Sequence, residues 1–475
     1  MDQRKKIAIV GGGIAGSSVA LYLAKTGLDI TLFEKEKTLV SGPPMCHLHA
    51  GGNLYREIDD KQCKMLLKQS IELLRFYPYA IDFRPTVIAT PTIDESSANE
   101  LLPRLQMLQT EYDKLIQEDQ NNKVLGESSE YFKLYSKENV LVLREKECVK
   151  QPKTLDEWMI PVSKNIELDK IKYPLIIVQE YGLNVFRISA SVTLRLKTQS
   201  NVTLKNGIKV TDIKKYENSF KVTCDDSDNE TIENFDYLIN AAGFRSGEID
   251  DMLGIKRDRL VEFKAAYVTK CEKYEGLWPE VIFHGKRGTP QGMAQFTPYP
   301  DGYFQLHGMT KDVTLFDKGL VRSNALSAQP KLDDIFIKKI DQGWSFSATQ
   351  SRTLAAIEHM AQYIPAFKNA KVASKPLYGA QQIPGDDAEL RASEVSFEGE
   401  RYARCEIVKA SSILTMADAI VKRLIQLDFI DEKYYKQRDF STAKQSKKTQ
   451  IDHYAEQICK AREYPISLAY VNNSY

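Results

Sequence analysis

Three reactive side chains lie close together in the stretch PPMCHLHAGG at residues 43–52: Cys46, His47 and His49. An imidazole has a pKa near ~6.5, so His47 or His49 can accept a proton from a bound substrate near neutral pH. Metal binding is the weaker interpretation, because no further ligand follows at zinc-site spacing, and we predict no metal. The alternative is that these side chains only pack and hydrogen-bond within their loop.

A second chemically informative pattern lies near the start of the chain. Residues 6–10, KIAIV, form a short apolar run that is typical of a buried parallel strand. Gly11, Gly13 and Gly16 follow with the spacing G-x-G-x-x-G and lead into an apolar stretch with helical spacing. The three glycines allow a tight turn, a close approach of phosphates to the backbone, and close packing of helix on strand.

The same pattern continues into the predicted helix and the next strand. Ile14 and Ala15 begin the helix, where backbone amides can bind phosphate oxygens. Glu34 closes the next strand, DITLFE, and its carboxylate can accept hydrogen bonds from the ribose hydroxyls of an adenosine. That carboxylate would repel a 2′-phosphate. The pattern therefore predicts a site for FAD or NAD rather than NADP, with a flexible glycine loop as the alternative.

Length and composition exclude several other classes of protein. A chain of 475 residues predicts two closely packed domains. The formal net charge of +1 lacks the basic excess expected of a nucleic-acid-binding domain. No apolar run approaches the ~20 residues that span a bilayer, and no secretory signal precedes the first strand. The seven scattered cysteines are typical of free thiols, so we expect a cytoplasmic protein without a transmembrane segment.

The remainder of the chain favours FAD over NAD. An NAD dehydrogenase would continue with further βα units, whereas residues 41–55 form an irregular stretch with several glycines. Residues 205–224 alternate in polarity, with turn signals at Asn206-Gly207 and Glu217-Asn218, which predicts a β-meander. The meander leads to a buried strand within DYLINAAGFRS, at 236–246.

Four stretches resemble the FAD-dependent oxidoreductases of the D-amino-acid oxidase, glycine oxidase and sarcosine oxidase superfamily. In chain order they are VGGGIAGSSVALYLAKTGLDITLFEKE, NGIKVTDI, INAAGFRSGEIDDMLGI and FTPYPDGYFQLHGMT. The resemblance implies FAD as the cofactor. It also implies that the backbone near Val210 brackets the adenine and that Ala242 and Gly243 close over the diphosphate.

The resemblance further implies an α/β fold, with a Rossmann-like FAD-binding domain of the glutathione-reductase type and an inserted antiparallel-sheet α+β substrate domain. Residues 261–270 and 302–310 alternate in polarity and predict strands of a sheet that roofs the flavin. We expect the FAD domain to comprise 1–80, 176–247 and 375–430, the substrate or cap domain 81–175 and 248–374, and a C-terminal tail with a short helix 431–475.

The last predicted helix departs from the family pattern. Most members have a glycine-rich turn before it, whereas here KASS stands at 409–412. We predict Ser411 or Ser412 as the N-cap. The start of this helix, together with Lys409, would direct positive charge at flavin O2 and so favour reduction of the flavin.

Two further roles follow from the resemblance for residues 43–52, which it places beside the flavin ring. HAGG resembles the segment with the flavin-linked histidine in dimethylglycine-dehydrogenase-like members, which suggests covalent attachment through His47 or His49. HLHAGGNLY is also similar to a segment of hydroxyglutarate-oxidising members. Proton transfer from the substrate and simple packing of the loop stay open as alternatives.

Substrate contacts are expected from residues 378–395, which the resemblance places along the flavin edge. Gln381, Gln382 and Arg391 are the candidates there, and Arg404 could pair with a substrate carboxylate. The alternative for Arg391 is a solvated, salt-bridged turn with neighbouring aspartates. We expect structural roles for His284, His307 and His359, and a salt-bridge or cofactor role for Arg245.

The sequence thus predicts an FAD-dependent oxidoreductase that transfers hydride from a small amine or amino acid to flavin N5. Dioxygen or a quinone-type molecule would accept the electrons, because no second nucleotide motif is present. The alternatives are an FAD-dependent 2-hydroxyacid dehydrogenase or oxidase, and a flavoprotein subunit of a modification complex without net substrate oxidation. The pattern predicts neither the substrate nor the oligomeric state.

Overall fold

The computed structural model describes residues 4–42, 58–226, 229–272, 275–388, 390, 395–438, 440 and 446–471. These residues form a mixed α/β structure, as the sequence predicts. They contain eleven α-helices: α1 (Ile14–Leu23), α2 (Asp60–Phe76), α3 (Leu102–Glu118), α4 (Lys137–Arg144), α5 (Leu155–Asn165), α6 (Val185–Lys197), α7 (Ser246–Met252), α8 (Asp334–Gln342), α9 (Phe346–Ala361), α10 (Ile413–Gln426) and α11 (Lys448–Ala461).

The strands of the described ranges divide among two large sheets, a three-stranded sheet and one short pair. In chain order they are β1 (Lys6–Val10), β2 (Asp29–Glu34), β3 (Ile81–Asp82), β4 (Thr86–Pro91), β5 (Phe132–Tyr135), β6 (Ile171–Val178), β7 (Gly182–Leu183), β8 (Val202–Asn206), β9 (Lys209–Lys215), β10 (Phe220–Asp226), β11 (Asn229–Phe235), β12 (Tyr237–Asn240), β13 (Arg259–Lys270), β14 (Glu280–Phe283), β15 (Ala294–Pro298), β16 (Tyr303–Gly308), β17 (Leu320–Arg322), β18 (Lys371–Val372), β19 (Leu377–Pro384), β20 (Val395–Phe397) and β21 (Tyr402–Cys405).

The first large sheet positions the glycine turn. Its six strands in the described chain run in the order β20-β21-β12-β1-β2-β8. Strand β1 lies between β2 and β12 and is parallel to both. Its apolar residues are buried, which is why a continuous run such as KIAIV is stable there. Helix α1 follows β1 and packs on α6 and α10, so the N-terminus of α1 lies at the carboxyl edge of the sheet.

The predicted β-meander is only partly correct. Strands β9, β10 and β11 form the antiparallel three-stranded sheet, and the turn at Glu217-Asn218 joins β9 to β10 as expected. The turn at Asn206-Gly207 is present, with φ of +78° at Gly207, but β8 and β9 do not pair across it, because β8 pairs in parallel with β2 in the first sheet. At this point the chain passes between two sheets, and the amide of Gly207 donates to the carbonyl of Glu36 instead of closing a hairpin.

The second large sheet has its described strands in the order β17-β13-β16-β15-β14-β4-β6-β5, with β18 and β19 also paired to β13. Strands β13 and β16, predicted from alternation, are antiparallel neighbours with Tyr267 opposite Leu306. Strand β19 lies in the chain segment that we assigned to the FAD domain, yet it pairs with β13 along its whole length. The division into domains stays a prediction, with β19 as an element of the second sheet.

The two faces of the second sheet differ in their neighbours. Phe263 and Tyr267 of β13 face α8 and α9, where Phe263 lies 4.9 Å from the ring of Phe336. Val268, on the opposite face, packs in the same core cluster as Ile9 of β1. Side chains alternate along a strand, so Glu262 and Lys264 share the face of Val268. This face, here called the inner face, is turned toward the first sheet.

The C-terminal segment connects both sheets. Helix α11 packs against α6, and the Asn184 side chain donates to the carbonyl of Leu468 at 2.7 Å. The hydroxyl of Ser467 donates to the carboxylate of Asp301, in the turn before β16. The short helix expected in the tail is present. No helix in the described ranges has the length and apolar character that a membrane span requires.

Candidate cofactor and substrate site

The glycine turn combines two tightly packed positions with one open position. A Cβ added to Gly16 would lie 1.9 Å from the carbonyl oxygen of Gly11, and one added to Gly11 would lie 2.4 Å from the carbonyl oxygen of Ala241. Gly11 also has φ of +104°, in the region that favours glycine. Around Gly13, by contrast, no heavy atom of the described residues lies within 4 Å of an added Cβ. This open space adjoins the start of α1.

Helix α1 presents its first backbone amides to that space. Gly13 stands at the N-cap with extended backbone, and no described side chain caps the helix there. Ile14 and Ala15 follow as the first helical residues. The backbone amides in the first turn of an α-helix have no carbonyl partner within the helix, and the positive end of the helix dipole lies there. This arrangement suits the phosphate oxygens of a dinucleotide.

Glu34 closes the site on the side of β2. Its Oε2 accepts a hydrogen bond of 2.7 Å from the amide of Gly12, and its Oε1 accepts one of 2.8 Å from the amide of Glu36. The side chain is buried, and this burial raises the pKa of the Glu34 carboxyl above its ordinary value despite both hydrogen bonds. Each carboxylate oxygen has further acceptor capacity, so the group fits a pair of ribose hydroxyls.

The other predicted cofactor residues lie on neighbouring elements. Val210 on β9 is buried in the cluster that contains Phe33, the residue before Glu34. Ala242 and Gly243 follow β12, directly opposite the glycine turn, and an added Cβ on Gly11 would lie 2.8 Å from the Cα of Ala242. Gly243 has φ of +60° and no described atom within 4 Å of an added Cβ. The fold thus brings three distant segments around one open space that fits FAD, while each single role stays a prediction.

The start of α10 differs from the expected cap. Ser411 and Ser412 lie in a short 3-10 turn before the helix, and the hydroxyl of Ser412 donates to the Gln69 side chain of α2 at 3.0 Å. Ser412 stands at the N-cap position of α10, as predicted, but its hydroxyl makes no capping hydrogen bond and links α10 to α2 instead. Lys409 precedes this turn with extended backbone. Gln381 of β19 donates to the carbonyl of Val408 at 2.9 Å and so joins the second sheet to this point.

Arg404 lies in a buried ion pair and not at a substrate site. Its guanidinium donates to both carboxylate oxygens of Asp250, at 2.8 and 2.7 Å, and Arg259 and Tyr402 also donate to that carboxylate. We therefore correct the expectation that Arg404 pairs with a substrate carboxylate. Gln382 belongs to the same region, since its side chain contacts Ser246 and the carbonyl of Cys405. Arg404 and Asp250 are 154 positions apart in the sequence, so no local pattern could have predicted that they pair.

Several remaining candidates have structural contacts or lie outside the described residues. His307 Nδ1 is 3.0 Å from Thr314 Oγ1, and His359 Nε2 is 3.0 Å from the carbonyl oxygen of Gly292. Arg245 pairs with Glu248 and Asp341, and His284 is buried. These contacts agree with the structural roles expected. Cys46, His47, His49 and Arg391 lie outside the described residues, so their roles stay predictions.

Sequence reasoning missed a charged cluster on the inner face of the second sheet. Lys264 Nζ lies 3.1 Å from Glu262 Oε2, and Arg287 also donates to the Glu262 carboxylate. Burial raises the pKa of Glu262, but the two cations more than offset this and hold it below its ordinary value. The described members of the cluster are thus two cations around one carboxylate. The available sequence signal was the pair of charges at alternate positions in the otherwise apolar VEFKAAYV.

A second polar group lies on the same face, closer to β4. Glu280 accepts hydrogen bonds from Arg84 at 2.8 Å and from Gln295 at 2.7 Å, and Arg84 also donates to Asp82. All four side chains are buried. Buried polar groups of this kind must be paired. Here they make the inner face of the second sheet polar, whereas its other face is apolar. In the described part of the chain no group of three or more His, Cys, Asp or Glu side chains is arranged to hold a metal ion.

Comparison with known proteins agrees with this geometry. Residues 6–129 match the family model described as FAD dependent oxidoreductase, DAO. No curated protein matches the sequence. Three solved structures illustrate the likeness in fold, each covering most of both chains.

The first is NikD, an unusual amino acid oxidase essential for nikkomycin biosynthesis, with a TM-score of 0.57, 14% identity, and coverage of 92% of this chain and 97% of that chain. L-proline dehydrogenase from P. horikoshii has a TM-score of 0.56 and 15% identity, covering 93% of this chain and 98% of that one. The FAD-bound L-alpha-glycerophosphate oxidase from Mycoplasma pneumoniae has a TM-score of 0.54 and 16% identity, covering 90% and 94%. The family match places the glycine turn and Glu34 within an FAD dependent oxidoreductase domain, and over most of its length the chain has the fold of these three enzymes.

Proposed function

We propose that this enzyme oxidises a small amino acid or amine that binds between FAD and the inner face of the second sheet. FAD supplies an acceptor for the hydride that leaves a C–H bond next to nitrogen. The residues of the chain hold the substrate in one orientation and exclude water, which is the main contribution a protein makes to such a transfer. Gly11, Gly13 and Glu34 would hold the cofactor.

One observation carries the proposal of substrate class. Gln381 lies opposite Glu262 on the neighbouring strand, and its side chain reaches the carbonyl of Val408, just before the turn that leads into α10. This contact brings the cluster of Glu262, Lys264 and Arg287 next to the start of α10. The two cations of this largely polar surface suit a substrate carboxylate. Two of the proteins of similar fold described above are an amino acid oxidase and an L-proline dehydrogenase.

The most direct test is anaerobic reduction of the bound flavin. A panel of amino acids and amines is expected to bleach the yellow absorbance of the purified protein. A matched panel of 2-hydroxyacids and glycerophosphate tests the alternative of oxidation at CH–OH, which the glycerophosphate oxidase of similar fold brings into consideration. If neither panel bleaches the flavin and a second protein copurifies, the modification-complex alternative would replace the proposal.

Lys264→Met tests the proposed role of the cluster. The change removes the charge and keeps much of the side-chain volume, so we expect KM for a carboxylate substrate to rise about tenfold or more, the loss of one charged hydrogen bond. Lys270→Met is the matched control. Lys270 lies at the end of the same strand, with its ammonium over the Tyr303 ring, outside the cluster. Equal KM values for the two variants would contradict a role for Lys264 in substrate binding.

Three finer points belong to the same proposal. Reoxidation of the reduced flavin in air, compared with reoxidation by a soluble quinone, distinguishes dioxygen from a quinone-type acceptor. Covalent attachment through His47 or His49 would keep the colour with acid-precipitated protein. The cytoplasmic location stays a prediction, which fractionation of cells would test.

A further inference from the structure

Val40 has an unfavourable backbone conformation at the edge of the cofactor site. Its φ is +54°, which a β-branched residue rarely adopts. The side chain is buried, and the amide donates to the carbonyl of Gly12 at 2.9 Å. Gly12 is also the residue whose amide binds Glu34. A strained residue persists only where surrounding contacts hold it, and such residues cluster at ligand sites.

Arg462 supplies those contacts from the other end of the chain. Its Nη1 donates to the carbonyl of Val40 at 3.1 Å, and its Nη2 donates to the carbonyl of Leu39 at 2.7 Å. Nε and Nη2 both donate to Thr38 Oγ1, at 3.1 and 2.9 Å. One guanidinium therefore holds three consecutive residues, here called the 38–40 turn. The planar fork of arginine can do this, whereas a lysine cannot.

Arg462 stays positively charged at neutral pH, although the hydroxyl and carbonyl oxygens that it contacts in the 38–40 turn are uncharged. Burial lowers the pKa of Arg462 to about 10, so the group is still protonated at neutral pH. Its position is fixed by the segment around it, because Tyr464 donates to the carbonyl of Pro376 at 2.7 Å and α11 packs on α6. The 38–40 turn is thus held against a rigid part of the fold.

The 38–40 turn in turn packs directly on the glycine turn. A Cβ added to Gly12 would lie 2.6 Å from Leu39 Cδ2 and 2.9 Å from Glu34 Cβ. Ser189 of α6 also donates to the carbonyl of Leu39, at 2.5 Å. A change in the backbone at Val40 would therefore displace Gly12 and, through it, the Glu34 carboxylate. The contacts form one continuous path from Arg462 to the adenosine side of the cofactor site.

We propose that Arg462 is a positioning residue for FAD, which acts by holding Val40 in its strained conformation. This inference rests on FAD as the cofactor. Without the guanidinium, Val40 relaxes toward negative φ, the hydrogen bond from Val40 to Gly12 is lost, and Glu34 no longer has its fixed orientation toward the ribose. The C-terminal segment, outside the nucleotide-binding motif, thereby sets the affinity for the cofactor.

Equilibrium binding of FAD to the apoprotein tests the proposal. We expect Arg462→Gln to weaken FAD binding at least tenfold, and Arg462→Lys to weaken it nearly as much, because one ammonium cannot span the three residues. Lys460→Gln is the matched control, since it removes an exposed cation two positions earlier, in the last turn of α11. The Tm of each apoprotein is measured in parallel, so that a general loss of stability is recognised by a falling Tm.

A second substitution separates positioning from simple packing. Val40→Gly removes the strain, because glycine adopts positive φ without cost. We expect Arg462→Gln to cost at most about threefold in FAD affinity in the Val40→Gly background, although it costs at least tenfold in the wild-type background. Equal losses in both backgrounds would overturn the proposal, and so would an Arg462→Gln variant that binds FAD as tightly as Lys460→Gln. A wild-type apoprotein that binds no FAD would instead overturn the cofactor assignment itself.

Discussion

The carboxylate of Glu34 and the backbone amide of Gly12 are joined by a hydrogen bond of 2.7 Å, across 22 positions of the chain. The bond connects the last residue of β2 to the glycine turn that follows β1. The carboxylate is therefore held at the carboxyl edge of the sheet, close to the N-terminus of α1. One acidic residue thus fixes the turn, and we expect its remaining lone pairs to accept hydrogen bonds from the ribose of FAD.

Alanine substitutions at Gly13 and Gly16 are expected to have different effects, one on FAD binding and the other on folding. Gly13→Ala is compatible with the extended backbone at that position, and no described atom is near the added methyl group. We expect the apoprotein to keep its Tm, while FAD affinity falls tenfold or more because the methyl group occupies space meant for the diphosphate.

Gly16→Ala serves as the counterpart to this variant. Its methyl group would lie 1.9 Å from the carbonyl oxygen of Gly11, so the packing of α1 on β1 must change. We expect a lower Tm or poor folding even without FAD. Thermal denaturation of both apoproteins, with FAD titration, checks the pair. A Gly13→Ala variant with wild-type FAD affinity would show that the open space does not hold the diphosphate.

The buried carboxyl of Glu34 predicts a pH dependence of cofactor binding. Burial raises its pKa above the ordinary 4.5, and the ionised form is the one that accepts hydrogen bonds from ribose hydroxyls. FAD affinity should therefore fall as the pH drops through this raised pKa, by about tenfold per pH unit once the group is protonated. The stability of the apoprotein should show the opposite trend, because a raised carboxyl pKa stabilises the fold at low pH and this contribution is lost as the pH rises through it.

Glu34→Gln is the variant that isolates this titration. Its FAD affinity should be lower than that of the wild type at pH 8 and should change little with pH. Glu36→Gln removes a neighbouring charge that contributes to the raised pKa of Glu34, so it should keep the titration and shift it to lower pH. Parallel profiles for the wild type and Glu34→Gln, measured by flavin fluorescence between pH 5 and pH 8, would assign the titration to another group.

The ion pair of Asp250 with Arg404 predicts a large loss of stability. Asp250 is fully buried and also accepts from Arg259 and Tyr402. Asp250→Asn leaves two buried guanidinium groups without their counter-charge, and we expect about 3–5 kcal/mol less free energy of unfolding. Asp386→Asn, in the exposed pair with Arg322, should cost about 0–1 kcal/mol. Urea denaturation of both variants measures the difference.

The KM of the Asp250→Asn variant tests whether Arg404 has any role in substrate binding. Because Arg404 contacts Asp250 and not the inner face of the second sheet, folded Asp250→Asn protein should keep the wild-type KM. A marked rise in KM at unchanged FAD content would return Arg404 to the substrate site.

The sequence alone was sufficient for the nucleotide-binding end of the fold. The run of β1, the glycine spacing, α1 and Glu34 at the end of β2 are contiguous, and each has a local physical requirement that only a few residue types meet. Helix α10 and the strands β13 and β16 were likewise predicted from periodicity, since an amphipathic pattern is a local property. FAD followed from the same local patterns and the family resemblance they carry.

Tertiary structure decided the features that depend on distant partners. Strand β8 pairs with β2 and not with β9, the Ser412 hydroxyl binds Gln69 and does not cap its helix, and Arg404 is paired with Asp250, 154 positions away. Arg462 contacts the 38–40 turn from more than 420 positions along the chain. Spacing within a sequence fixes which groups one strand or helix can present, but a buried charge or hydroxyl takes the partner that the folded chain places within hydrogen-bond reach.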